Sequence, residues 1–284
     1  MTTWIGSRVS STRSKKHSSD HSSDASLHAS PGDGLAHGVL SAPHWFVVPR
    51  SEWSEDLITF PPDETHHAIR VLRVSAPDVV TVSDGAGSLA TCAVESTDGQ
   101  RMVARIMDIE ELRAPKPRIV VYQGAAKGRK IDEVVDRLAE LGIAEAWVYE
   151  SRRSVVEWDR AKWNKLHERW TSIARAAAKQ SRSPFILEVG GGLSWTELLR
   201  RVAREPLAIA LWEEASLPLR SALVGEVDRV ALVVGPEGGL EREEAEALAD
   251  AGAQLVSLGP RILRTEVASV VAASALLWHH GLIG

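Results

Sequence analysis

The sequence predicts an α/β protein with a mainly parallel sheet, preceded by a smaller β unit. Three observations carry this. From residue 119 onward, short apolar runs alternate with helix-like stretches. Two of those runs, residues 230–234 and 255–258, end in glycine-marked loops at 235–239 and 259–266. Upstream, Asp84-Gly85 and Asp98-Gly99 separate short β-rich runs, a hairpin pattern.

With 284 residues the chain has room for two ordinary domains, and 44% hydrophobic with 25% charged residues is a globular composition. No apolar run reaches the roughly 18 residues that span a bilayer. The single Cys92 excludes an intramolecular disulfide and a thiolate metal cluster, and fits a reducing cytoplasm. The net charge of -5 hides an uneven spread. Residues 150–184 hold nine Lys/Arg against four Asp/Glu, while residues 196–250 hold six against twelve. The basic stretch reads either as a polyanion-facing surface or as a solvated helix face.

Residues 1–41 are rich in Ser and His without apolar periodicity, so the expectation is a disordered tail. Residues 42–113 read as a small sheet or barrel, with strands at 79–82, 88–94 and 102–107. Ala114-Pro115-Lys116-Pro117 is the expected linker, and residues 117–284 form the α/β unit. In that unit, 119–122 reads as a strand and 131–141 as a helix ended by Gly142. A second strand lies at 146–149. Trp163, Leu166, Trp170, Ile173 and Ala177 follow helical spacing. Strands at 207–211, 231–234 and 255–258 follow, and Glu241, Glu243 and Glu244 suit a helix start. Residues 267–278 are apolar nearly all round and predict a buried helix, with a subunit interface as one place to bury it.

In open parallel sheets, ligands bind beyond the carboxyl ends of the strands, so the two glycine loops predict one pocket. The loop at 235–239 lacks the Gly-Lys-Ser/Thr of a phosphate-binding loop and the spacing of a dinucleotide fingerprint. Its glycines permit close backbone approach to a ligand, or make an ordinary strand-to-helix turn. Arg261 and Arg264 beside Glu266 suit an anionic partner or a local salt bridge. Further basic clusters are Lys127, Arg129 and Lys130; Arg152 and Arg153; Gln180 and Arg182; and His67, Arg70 and Arg73. Dispersed positive sets of this kind serve phosphate contacts. The adjacent pair His66 and His67 does not make a metal site, and no metal is expected.

Together, His66-His67 with Arg70-Val71-Leu72-Arg73, Lys127 to Lys130, Glu140-Leu141-Gly142, Arg152-Arg153-Ser154 and Gln180-Ser181-Arg182 resemble the RsmE family. Gly235-Pro236-Glu237-Gly238-Gly239 and Leu258-Gly259 with Arg261-Ile262-Leu263-Arg264-Thr265-Glu266 continue the likeness. The family pattern has a second Thr where Val267 stands. The resemblance implies a PUA-like β-barrel followed by a SPOUT-type α/β domain with a C-terminal trefoil knot. It implies a homodimer that methylates uridine N3 of 16S ribosomal RNA in the 30S subunit, using S-adenosylmethionine (SAM). The cofactor residues would be Leu211, Gly235, Glu237, Gly238, Gly239, Leu258, Gly259, Ile262 and Leu263. Arg264 would stabilise the uridine anion, and Glu266 would orient it or accept the proton. The basic clusters, with Gln180, would contact RNA. The rivals are a SPOUT methyltransferase of another base and a non-catalytic RNA-binding assembly protein.

Overall fold

A computed structural model describes residues 44–154, 158–223 and 225–284. The Ser/His-rich tail therefore lies outside the described residues.

The first unit is a five-stranded sheet in the order β1-β3-β4-β5-β2. Its strands are β1 (Trp45–Val47), β2 (Leu57–Thr59), β3 (Val79–Ser83), β4 (Ser88–Thr97) and β5 (Met102–Glu111). The Asp-Gly turns work as the sequence suggests. The Asp84 carboxylate accepts from the N–H groups of Ala86 and Ser88, and Asp98 from those of Gln100 and Arg101. Register shifts bend the long β4–β5 pair. The two edge strands, β1 and β2, pair with β3 and β5 but not with each other. The sheet closes instead through side chains: Phe46 of β1 meets Phe60, just after β2, edge to face at 5.2 Å. A short helix, α1 (Pro62–His66), leads into a π-helical turn at His67–Val71.

The second unit is a six-stranded parallel sheet in the order β11-β9-β10-β6-β7-β8. These strands are β6 (Arg118–Gly124), β7 (Glu145–Tyr149), β8 (Glu188–Leu193), β9 (Ala208–Leu211), β10 (Arg229–Val234) and β11 (Gln254–Val256). Helices α2 (Lys130–Glu140), α3 (Arg160–Ser181) and α7 (Thr265–His279) pack on one face, where Leu138, Trp170 and Leu276 are buried. Helices α4 (Trp195–Val202) and α6 (Arg242–Asp250) cover the other through Leu198 and Leu248; short α5 (Leu219–Ala222) lies on the first side. The side chain of Asp159 caps α3, accepting from the Lys162 N–H at 2.7 Å. Gly142 ends the α2 turn at φ 74°.

Three details depart from the sequence reading. Strand β8 and helix α4 carry no element in that reading. Strand β11 stops at Val256, because the Ser257 hydroxyl takes the N–H of Gly259, which turns at φ 110°. Helix α7 is not buried all round: Val267, Val271 and Trp278 leave a stripe open, with Trp278 70% exposed.

The two units are joined through α3 and the segment after it. The Arg175 guanidinium donates to the Val47 carbonyl, and Lys179 pairs with the buried Glu64 at 2.8 Å. Gly87 N–H and Ser83 hydroxyl both donate to the Pro184 carbonyl.

Candidate functional site

Strand order reverses between β6 and β10, which places their carboxyl ends at the topological switch of the sheet. Four loops meet there, following β6, β9, β10 and β11. Those after β9, β10 and β11 line a cavity of about 270 Å³, with residues 211–213, 234–239, 257–263, 265 and 268 in its wall. All nine residues expected to hold a cofactor line it: Leu211, Gly235, Glu237, Gly238, Gly239, Leu258, Gly259, Ile262 and Leu263.

The glycines are required by space as well as by conformation. A Cβ on Gly238 would meet Arg153 Cβ at 3.1 Å, and one on Gly235 would meet the Gly239 carbonyl carbon at 3.0 Å. Gly239 itself turns at φ 71°. A Cβ on Gly124, at the end of β6, would collide with the Pro236 backbone, so that glycine lets the two strand ends approach.

Glu237 is the charged group of the cavity wall. One carboxylate oxygen accepts from the Lys127 N–H at 2.9 Å and pairs with Lys130 at 3.3 Å. Burial pushes its pKa up, but these bonds and its own N–H prevail and hold the carboxyl below its ordinary value. The other oxygen is buried without a partner.

Arg264 caps α7 through its carbonyl, which accepts from Val267 and Ala268 N–H. Its side chain is exposed and makes no ion pair with Glu266 among the described residues, so the local salt bridge is not formed. Glu266 buries one carboxylate oxygen with no partner. Neither residue lines the cavity; both flank Thr265, which does.

The basic residues fall into two groups. Lys127 and Lys130 meet Glu237, while Arg153 donates to the Gly238 carbonyl at 2.9 Å. Arg152 and Arg153 both pair with Glu241, at 3.5 and 3.6 Å. Arg129 is exposed beside them at the start of α2. The second group stands at the junction of the two units. Gln180 and Arg182 are exposed at the end of α3, and Arg182 closes that helix at φ 56°. His67 is near Lys179; burial first, and that ammonium second, hold its pKa below the ordinary value. Arg70 and Arg73 follow it, both exposed. No hydrogen bond or ion pair among the described residues joins the two groups. Nor does any cluster of three or more potential metal ligands occur among them.

The sequence reading did not place Trp212, Glu213 or Ser257 in the wall. Trp212 and Glu213 directly follow the predicted strand containing Leu211, and that adjacency was the available signal.

Comparison with known proteins agrees with this geometry. The RNA methyltransferase domain family matches residues 113–277, and the RNA methyltransferase PUA domain family matches residues 60–107. Ribosomal RNA small subunit methyltransferase E of Mycobacterium tuberculosis is 35% identical over 218 residues, 75% of this chain and 83% of that protein. Its namesake in Bacillus subtilis is 31% identical over 229 residues, 78% of this chain and 90% of that protein. Among solved structures, a candidate methyltransferase from Legionella pneumophila with bound SAM superimposes with a TM-score of 0.74 at 28% identity. That alignment covers 82% of this chain and 96% of the other. The SAM-bound methyltransferase E of Neisseria gonorrhoeae shares the fold at TM-score 0.73, covering 83% of this chain and 97% of that one.

Proposed function

The chain belongs to the ribosomal RNA small subunit methyltransferase E family, and we propose that it transfers a methyl group from SAM to N3 of a uridine in 16S ribosomal RNA. One observation carries the site assignment: both glycine loops wall a single cavity, with Glu237 among its lining residues.

The residues fit the cofactor. Gly235, Gly238 and Gly239 offer backbone at close range, Leu211, Leu258, Ile262 and Leu263 offer apolar contact, and Gly259 turns the second loop around them. Glu237 supplies an anionic acceptor for a cationic or hydroxylic donor. When bound, SAM supplies an electrophilic methyl carbon on sulfur.

The chain's own residues must then prepare the nitrogen. Uridine N3 holds a weakly acidic imide proton that has to leave before its electron pair attacks the methyl carbon and sulfur departs. Arg264, exposed and without a side-chain partner among the described residues, would stabilise the resulting charge on O2 or O4. Glu266, two residues along the same helix start, would receive the proton through water or orient Arg264. The 42–113 unit and both basic groups hold the RNA, a composite footprint suited to a folded 30S particle.

The open α7 stripe of Val267, Val271 and Trp278, with Ile262 at 91% exposure, supports a second copy of this chain as partner. Packing of α7 against both β6 and β10 supports the trefoil knot that the family resemblance implies. Action on ribosomal RNA supports a cytoplasmic location.

The test is mass spectrometry of 16S nucleosides after incubation with SAM and 30S subunits, with free RNA in parallel. N3-methyluridine is expected from the particle. Methylation of another base would replace the uridine assignment, and no methylation would leave the non-catalytic RNA-binding reading.

A further inference from the structure

We propose that Gln123 is a positioning residue that couples the cofactor loop to the arginine loop; the inference rests on the methyltransferase reading above. Gln123 lies in the middle of the sheet at the end of β6 and is fully buried. It does not line the cavity. Its amide nitrogen donates to the Thr265 hydroxyl at 2.8 Å and the Gly124 carbonyl at 3.1 Å, with the Gly235 carbonyl at 3.4 Å. The Thr265 hydroxyl in turn donates to the Gly235 carbonyl at 2.6 Å. On the other side, the buried Ser269 hydroxyl reaches the Gln123 carbonyl oxygen and, at 2.9 Å, the Thr265 carbonyl.

This arrangement fixes the amide's orientation. Three acceptors surround its nitrogen and a hydroxyl faces its oxygen, so a reversed amide would set oxygen against two carbonyls. Gly235 opens the cofactor loop after β10, and Thr265 is the first residue of α7, directly after Arg264. Both line the cavity. A single side chain therefore ties strand β6 to the backbone that approaches the cofactor and to the helix start that aims Arg264. A methionine would fill similar space without burying an amide. What the amide adds is the mutual placement of two loops, and small displacements of that kind are costly in catalysis.

Gln123→Met is the direct test, with Thr265→Val as a second variant that keeps shape and removes the bridging hydroxyl. Thermal melting, calorimetric SAM binding, and kcat and KM for 30S subunits are measured on the full chain. The expected result is a fall in kcat of about 100-fold, with KM for the particle near wild type. SAM affinity should weaken roughly tenfold, as for loss of a buried hydrogen bond. The double variant should be little worse than either single one, because both remove the same link. Should Gln123→Met fail to fold, Thr265→Val alone gives the same kcat-against-KM comparison. A lowered melting temperature with wild-type kcat and SAM affinity at permissive temperature would overturn the proposal and leave a structural brace. Failure of the wild-type protein to bind SAM would instead overturn the methyltransferase reading.

Discussion

At the amino ends of the parallel strands, Glu145 accepts from Arg118 at 2.8 Å, Arg229 at 2.8 Å and Trp147 at 2.9 Å. Glu205 there takes Arg229 and the Tyr122 hydroxyl. At the carboxyl ends of the same sheet, Glu237 and Glu266 each bury an oxygen without a partner, and Arg264 points into solvent. The chemistry of the side chains is alike at both ends; the difference is how much hydrogen-bonding capacity is used internally. Paired charges hold the sheet together, whereas an exposed guanidinium with no side-chain partner among the described residues remains available to a ligand.

The sharpest way to break this comparison is Arg264→Ala. Loss of a group that acts on developing charge should lower methyl transfer by about 10²–10³-fold. Melting temperature and calorimetric SAM affinity should stay near wild type, since Arg264 makes no internal side-chain bond among the described residues. Wild-type turnover in this variant would remove Arg264 from the mechanism.

Glu145→Gln should give the opposite profile. It removes a carboxylate shared by two guanidiniums and should cost about 1–3 kcal/mol in chemical denaturation, discounted because Arg118 is half-exposed. Turnover at a permissive temperature should not change. Lost turnover with unchanged stability would mean that the two ends of the sheet are not functionally separate.

The carboxyl-end site was visible in the sequence and the paired cluster at the amino ends was not, for reasons that differ from place to place. The loop at 235–239 is legible because glycines flanking a strand end have few other uses. Helix α3 is legible because Trp163, Leu166, Trp170 and Ile173 repeat at the period of the helix. Strand β8 is not, since Gly190 and Gly191 have no β propensity; their reason is tertiary. Trp147 lies over Gly190 and Trp163 over Gly191, leaving no room for a Cβ. Helix α4 did carry a signal, the capping box of Ser194 and Glu197. Gln123 carried none. One amide in an apolar strand finds its partners at Thr265 and Ser269, at the far end of the chain, and only folding brings them together.

Acid gives a finer version of the stability comparison. Burial alone would push the Glu145 pKa up, but bonds from Arg229, Trp147 and Arg118 bring it down to about 2. The folded value is thus below the unfolded value of about 4.3. The stabilisation is present above the unfolded value and is lost as pH falls through the folded one. Wild-type stability should therefore decline between about pH 5 and 2, and Glu145→Gln should flatten that slope. An equally steep decline in the variant would place the acid-sensitive group elsewhere.

The smallest effect compares two arginines of one helical region. Arg129 is exposed and unpaired among the described residues, whereas Arg137 is tied to Glu140 at 2.7 Å on the same helix. If the unpaired charge serves phosphate, Arg129→Ala should weaken RNA binding a few-fold. It should also reduce the slope of log affinity against log salt by about 0.7–0.9, the release of roughly one counterion. Arg137→Ala changes net charge equally, so a general field effect would lower both slopes alike. A change confined to Arg129→Ala assigns a direct contact to the loop beside Glu237, because the Arg137 guanidinium is already held by Glu140 whereas that of Arg129 has no ion pair to give up for a phosphate.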